Sequence, residues 1–302
     1  MGAVLFMFCG ASIILLKILA QLHGCFDPTG RDSDNQYMSN ENEFLETIRP
    51  YSNRLLTSPE DRLNFGSDWT RLPSDPLAIA FPSTASDVCQ ILKACLQYKV
   101  AVVPSGGRTG LCGGAVAGNK ELVLNLGRLN AIGAVDGANR SIRVQAGALN
   151  ENVQQVCSQN QLQWPIDLAS KGSCMIGGNL ATNAGGLRVI RYGMARRWVS
   201  ALQIATMGGS LIELNHGLEK NNTGFDLLQL MIGSEGTLAV ITEATLKLAP
   251  KPKESTVLLC ALESLADLMR VLEKCRSAPF EIQAFEFFSQ KCLNAVVNKL
   301  HT

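Results

Sequence analysis

The run from Pro165 to Gly193, PIDLASKGSCMIGGNLATNAGGLRVIRYG, constrains this chain more than any other stretch. Six glycines (Gly172, Gly177, Gly178, Gly185, Gly186, Gly193) stand among small hydroxyl and amide side chains at Ser170, Ser173, Asn179, Thr182 and Asn183. Glycine loses more backbone freedom on folding than any other residue, so this density destabilises an ordinary core element. It suits main chain that must come close to a ligand and aim N–H groups at it. The stretch therefore predicts one wall of a site for a large, phosphate-containing cofactor. Turn chemistry alone accounts for a Gly/Ser/Asn loop of about four residues, but poorly for one this long.

Two further glycine-rich segments alternate with strands. SGGRTGLCGG, residues 105–114, follows the apolar run VAVVP. It lacks the Gly-Lys-Ser/Thr ending of a Walker A loop, and it does not open a helix as a dinucleotide fingerprint does, because the next element reads as a strand over 121–126. A nest of N–H groups after a strand can still hold a pyrophosphate; a hairpin-like connection is the alternative. The third segment, residues 233–237, precedes the β-branched run LAVITEATLKL. Three such loops in one domain can cover the pyrophosphate, ribose and ring of a dinucleotide without a Rossmann helix.

The elements between the loops are legible. Residues 77–82 read as a buried strand ended by Pro82, and Thr84 with Asp87 reads as a near-capping box opening a helix to Tyr98. Alternation over 141–148 predicts a strand, and Asn150 is placed as the N-cap of a helix to Gln159. VSALQIATMGGSLIEL reads as a hairpin around Gly208-Gly209, and 226–231 as a short helix. Pro250 and Pro252 punctuate the chain. Beyond them STVLLCAL and EIQAFEFF read as strands, 262–278 as an amphipathic helix, and the last residues as the start of another. At the other end, residues 3–20 are almost wholly apolar, broken by Lys17. They are close to bilayer-spanning length but lack a cationic start, which leaves a weak anchor, a poor signal or a stretch that never joins the fold. Residues 27–43 are polar and read as a flexible linker, and 44–56 carry helical spacing interrupted at Pro50.

With 27 basic and 26 acidic residues the net charge is +1, which argues against nucleic-acid binding by bulk electrostatics. The 10 cysteines form no CxxC pair. They read as buried free thiols of a reducing compartment, a bacterial cytoplasm or a mitochondrial matrix, with a membrane-peripheral place left open. His23, His216 and His301 form no metal-ligand spacing, so no metal site is expected.

PSGGRTGLCGG, then DLASKGSCMIGGNLATNAGGLRVIRYG, then KNNTGFDLLQLMIGSEGTLAVIT resemble, in order and spacing, the flavin domain of FAD-linked 2-hydroxyacid dehydrogenases. These belong to the superfamily of vanillyl-alcohol oxidase and p-cresol methylhydroxylase (PCMH). The nearest branch holds dehydrogenases of D-2-hydroxyglutarate, D-lactate and glycolate. The resemblance runs from about residue 60 onward. It implies an α+β fold: a two-part PCMH-type FAD-binding domain over 44–251, after the N-terminal segment 1–43 and before the start of an α/β cap domain over 252–302. It implies that Pro104, Ser105, Gly106 and Gly107 wrap the FAD pyrophosphate together with Arg108, Thr109, Gly110 and Leu111. Gly172, Ser173, Ile176, Gly177, Asn179 and Thr182 would line the other side, with Asn183, Ala184 and Gly185 near the flavin. Glu235, Gly236 and Ile241 would close over the adenine end. Asn179 is open between the polar edge of the flavin ring and a structural role.

Where some relatives attach FAD through a histidine in a Gly-Gly-His sequence, this chain has Arg108, so the resemblance implies non-covalent FAD. It implies a small 2-hydroxy acid substrate oxidised by hydride transfer to flavin N5, and a quinone or electron-transfer flavoprotein as acceptor. A homodimer is compatible with it. The family's divalent metal and catalytic base lie in a longer cap, and nothing from 251 to 302 matches them; no catalytic residue is named. The alternative is a flavin-binding protein without turnover.

Overall fold

The computed structural model describes residues 33–300, so the apolar run 3–20 and its competing readings lie outside the described residues. The chain divides into two compact units, 1–43 and 44–302. Helix α1, Ser33–Ile48, takes in residues 33–43 that the sequence predicts as linker. Polar composition there does not preclude a helix. It ends where expected, in a single 3-10 turn over Arg49–Tyr51 with Pro50 inside it.

The first layer follows. Strand β1 (Leu55–Leu56) and helix α2 (Pro59–Gly66, N-capped by Ser58) lead into β2 (Ala78–Ala80). Helix α3 spans Ala85–Tyr98, and its capping box forms as the sequence predicts: the Thr84 side chain accepts from Asp87 N while the Asp87 carboxylate accepts from Thr84 N. Strands β3 (Val102–Ser105) and β4 (Leu122–Asn125) complete a four-stranded sheet of order β1-β2-β4-β3. β4 runs parallel to both neighbours. That parallel pairing removes the hairpin alternative for the loop after β3, because a hairpin joins antiparallel strands. Val88, Ile91, Leu92 and Cys95 of α3 are buried with Leu122 and Leu124 of β4, each full burial contributing about 1.5–3 kcal/mol.

The second layer begins with β5 (Ile132–Asp136), which the sequence reading omits, and β6 (Ser141–Gln145). Helix α4 (Asn150–Gln159) forms over the predicted residues, but its N-cap is Leu149. Asn150 is fully buried, so its amide serves the core instead of the helix end. Next come β7 (Leu162–Gln163), α5 (Ile176–Ala181), α6 (Val189–Tyr192), and the predicted hairpin as β8 (Val199–Ala205) and β9 (Leu211–Leu214). Helix α7 (Leu227–Met231), N-capped by Asp226, leads into β10 (Val240–Lys247). The antiparallel sheet β5-β6-β10-β8-β9 packs its apolar face on Trp164, Ile166, Ile176 and Leu180, while β11 (Ala249–Pro250) pairs with β7.

Beyond Pro250 the helices form and the strands do not. Helix α8 (Leu265–Arg276) starts at Ser264, whose side chain accepts from Asp267 N, and α9 spans Gln290–Leu300. Residues 255–262 and 281–288 form no ladder, and Val257, Leu258 and Leu259 are exposed. A β-rich composition specifies an extended, half-buried surface but not the neighbour that must accept its hydrogen bonds. Among the described residues no strand lies beside either segment.

Among the described residues the expectation of buried thiols holds only in part, with Cys275 intermediate. Cys89, Cys95, Cys157 and Cys174 are buried, and Cys112, Cys260 and Cys292 are exposed. Burial pushes the Cys95 thiol up to about 12 and the Cys157 thiol up to about 11, whereas Ser289 hydrogen bonds lower the Cys292 thiol. Alkylation of the native protein at pH 8, read by peptide mass spectrometry, should label Cys112, Cys260 and Cys292. It should reach Cys95 and Cys157 only after denaturation; native labelling of those two would contradict this core.

Candidate cofactor site

All three glycine-rich segments meet at the end of β3. A Cβ built on Gly107 would lie 2.1 Å from the Ser173 carbonyl oxygen, so the 105–114 loop rests directly on the 172–174 turn. Gly106 faces Met175 at 3.5 Å, and Gly236 faces Pro104 at 3.1 Å. The Glu235 carboxylate reaches the 105–114 loop from the other side, 3.3 Å from a Cβ on Gly114. The 233–235 turn is tied to α5, with Gly233 N donating to Leu180 O at 3.0 Å and Glu235 N to Ala181 O at 2.9 Å. Helix α5 is docked in turn on the end of β6: Ile176 N and Gly177 N donate to Ala148 O and Ala146 O. A Cβ on Gly177 would stand 2.7 Å from that of Ala146. Gly177 is therefore a packing glycine.

The loop after β3 has the donors an anion needs. None of the backbone N–H groups from Gly106 to Leu111 has a protein acceptor among the described residues. Beside them the Ser105 hydroxyl is buried without a partner. Native proteins rarely leave a buried polar group unsatisfied, and successive N–H groups in a turn form a concavity for anions. Arg108, at φ 53°, lies in the left-handed region, with its guanidinium 4.8 Å from the Phe65 ring centroid. Burial pushes that guanidinium below its ordinary range, which leaves it a cation at any ordinary pH. Leu111 and Gly110 are exposed and Thr109 half-buried.

Other predicted residues make contacts within the protein, Gly172 and Thr182 from exposed positions. Asn179 is buried; its Nδ2 donates to Asn150 Oδ1 at 3.1 Å and to Cys174 Sγ at 3.5 Å. The structural reading of Asn179 is the one its contacts support. The Thr182 hydroxyl donates to Gly178 O, and Asn183 Oδ1 accepts from Arg196 N. Ile241 is a core residue paired with Ile204 on the neighbouring strand. Gly185 lies against Met194 and Val189, and Ala184 O accepts from Ala195 N. Gly172 faces the Glu151 carboxylate. One neighbouring segment carries no glycine motif and is not singled out in the sequence. Asn64, Ser67, Asp68, Trp69 and Arg71 line an open surface hollow of about 360 Å³ with Gly107 and Arg108. Its sequence signal is the Asp68–Thr70 turn, in which Asp68 Oδ1 accepts from Thr70 N at 2.8 Å beside an exposed tryptophan.

Residues 76–215 match the family described as FAD binding domain. Over that stretch, a little under half of its length, the chain is similar to an FAD-binding domain. Over 245 residues it is 49% identical to a D-2-hydroxyglutarate dehydrogenase of Xanthomonas citri pv. viticola, covering 81% of this chain and 52% of that protein. Over 247 residues it is 42% identical to the Stutzerimonas stutzeri enzyme of the same name, covering 82% and 53%. The mitochondrial one of Danio rerio is 38% identical over 259 residues, covering 85% and 48%. The chain thus spans about half the length of the curated relatives it matches. A solved alkyldihydroxyacetonephosphate synthase shares the fold at TM-score 0.67 and 20% identity, covering 78% of this chain and 45% of that one. The free N–H row and the orphaned Ser105 hydroxyl fit a diphosphate. Among the described residues no group of three or more His, Cys, Asp or Glu side chains is placed to hold a metal ion.

Proposed function

We propose that this chain holds FAD non-covalently and forms the flavin-binding half of a dehydrogenase for a D-2-hydroxy acid of the D-2-hydroxyglutarate class. The observation that carries the reading is the row of unpartnered N–H groups from Gly106 to Leu111 beside the buried Ser105 hydroxyl. Those donors hold a diphosphate with little reorganisation. The 172–174 turn backs the loop at Gly107. Non-covalent attachment follows from Arg108, a cation at the position where some relatives carry the attaching histidine. Bound FAD supplies the acceptor for the hydride that leaves the α-carbon, while the hydroxyl loses its proton and a 2-oxo acid is released. The substrate class rests on the curated relatives, all those named above being D-2-hydroxyglutarate dehydrogenases. A quinone or an electron-transfer flavoprotein would reoxidise the cofactor.

The purified chain is expected to carry, or to take up, FAD and show its visible absorption band. Acid precipitation should release the colour into the supernatant. A colourless protein that takes up no added FAD would refute the cofactor, and colour held in the pellet would refute non-covalent attachment. Reduction of an artificial dye by D-2-hydroxyglutarate in preference to D-lactate checks the substrate class.

A further inference from the structure

The cavity that α2 and the following turn share with the 105–114 loop carries a feature that none of the glycine motifs announces. Its lining residues include two arginines, Arg71 and Arg108. Neither has an acidic partner within ion-pair distance among the described residues. Other arginines around the site are engaged: Arg188 bonds Asp167 and Gln163, Arg191 pairs with Glu281, and Arg196 donates to Ile232 O, while Arg62 of α2 reaches Pro76 O through one nitrogen and leaves its buried Nε without a partner. Both free arginines also sit in the left-handed region, Arg71 at φ 57° and Arg108 at φ 53°. A side chain with a Cβ rarely adopts that conformation, and residues that do concentrate at functional sites.

The neighbours hold the Arg108 side chain and the Arg71 backbone in place, and the Arg71 side chain is exposed. Arg108 stacks on Phe65 of α2, an arrangement that orients a guanidinium without neutralising it. Arg71 follows the Asp68–Thr70 turn, with its N–H donating to Asp68 O at 3.3 Å. Asp68 is the acid in the lining. Its Oδ1 is engaged by Thr70, and its Oδ2 is buried without a partner. Two cations against one carboxylate leave the lining net positive. Gly107, inside the free N–H row, belongs to the same cavity.

We propose that Arg71 and Arg108 form a two-guanidinium clamp on the diphosphate of the bound dinucleotide, which makes the segment from Asn64 to Arg71 a further wall of the cofactor site. Guanidinium donors match phosphate oxygens two at a time, and charge-assisted bonds of this kind are roughly twice as strong as neutral ones. The N–H row supplies shape and dipoles; the arginines supply the full counter-charge that a diphosphate needs once it leaves water. This inference rests on the FAD reading.

The test is FAD binding to the full-length apoprotein, followed by quenching of flavin fluorescence across a series of salt concentrations. The variants are Arg71→Gln, Arg108→Gln and the conservative Arg71→Lys. Each glutamine variant is expected to weaken FAD about tenfold, the equivalent of one charge-assisted bond. Each should also flatten the loss of affinity with rising salt, because one screened charge pair has gone. Arg71→Lys should recover part of both. Wild-type affinity in Arg71→Gln overturns the clamp. So does weakened binding with an unchanged salt dependence, since that marks a structural role. Wild-type protein that fails to bind FAD instead refutes the cofactor reading, and the clamp with it.

Discussion

Gly107→Ala is expected to yield a protein that no longer retains flavin and melts several degrees lower than the wild type. The added methyl would stand 2.1 Å from the Ser173 carbonyl oxygen, 2.9 Å from its carbon and 3.0 Å from Cys174 Cα. All three are backbone atoms, so no rotamer change relieves the contact. The 105–114 loop must lift off the 172–174 turn, and overpacking of this kind costs about 1–3 kcal/mol. The same movement separates the N–H row from the wall behind it. Each 1.4 kcal/mol of lost fit is about tenfold in affinity, so purified Gly107→Ala should come off the column colourless. Gly110→Ala is the matched control. Nothing in the protein lies within 4 Å of a Cβ there, and Gly110 has no positive φ. That variant should melt like the wild type, and any loss of flavin it shows reports the approach of the cofactor itself. Gly107→Ala that keeps both flavin and melting point would show that the two loops do not touch as described.

Different parts of this architecture were legible in the sequence for different reasons. The α3 capping box, the β8–β9 turn and the three glycine loops are local, written in a few adjacent residues, and the structure places them where the pattern does. What was lost is relational. The strands expected at 255–262 and 281–288 have the right residue types, but a strand exists only beside a neighbour, and composition does not name one. Asn150 reads as an N-cap because Asn commonly is one; the core behind α4 claims its amide instead. Asn179 is open in the sequence between the flavin edge and a structural role, and its contacts with Asn150 and Cys174 support the second. The wall from Asn64 to Arg71 was missed because it lies about forty residues before the nearest loop motif it joins and contains no glycine run. Only the fold brings it beside Gly107.

Asn150→Ala should be among the most destabilising single changes in this domain, by about 2–4 kcal/mol in denaturant unfolding. Its buried amide makes three hydrogen bonds: Nδ2 to Ile166 O at 3.1 Å, and Oδ1 from Trp164 Nε1 at 2.9 Å and from Asn179 Nδ2 at 3.1 Å. Two of the partners retain something without it. Ile166 O still accepts from Gln154, and Asn179 still reaches Cys174. Trp164 Nε1 does not, and an unpaired buried donor accounts for much of the cost. Asn150→Asp separates hydrogen bonding from shape. A protonated carboxyl has one donor and acceptors, so it can replace the amide bond for bond; an ionised one cannot donate to Ile166 O and carries a buried charge. Burial therefore raises the folded pKa of the new carboxyl above its unfolded value of about 3.9. Between those two values the unfolded chain binds fewer protons than the folded one, so stability falls as pH rises. The deficit of Asn150→Asp relative to wild type should be small near pH 5 and grow toward pH 8, while that of Asn150→Ala stays level. Because α4 and α5 are joined through this cluster, added FAD should raise the melting point of both variants by mass action. Equal, pH-independent deficits in the two variants would mean that the cluster stabilises by packing alone.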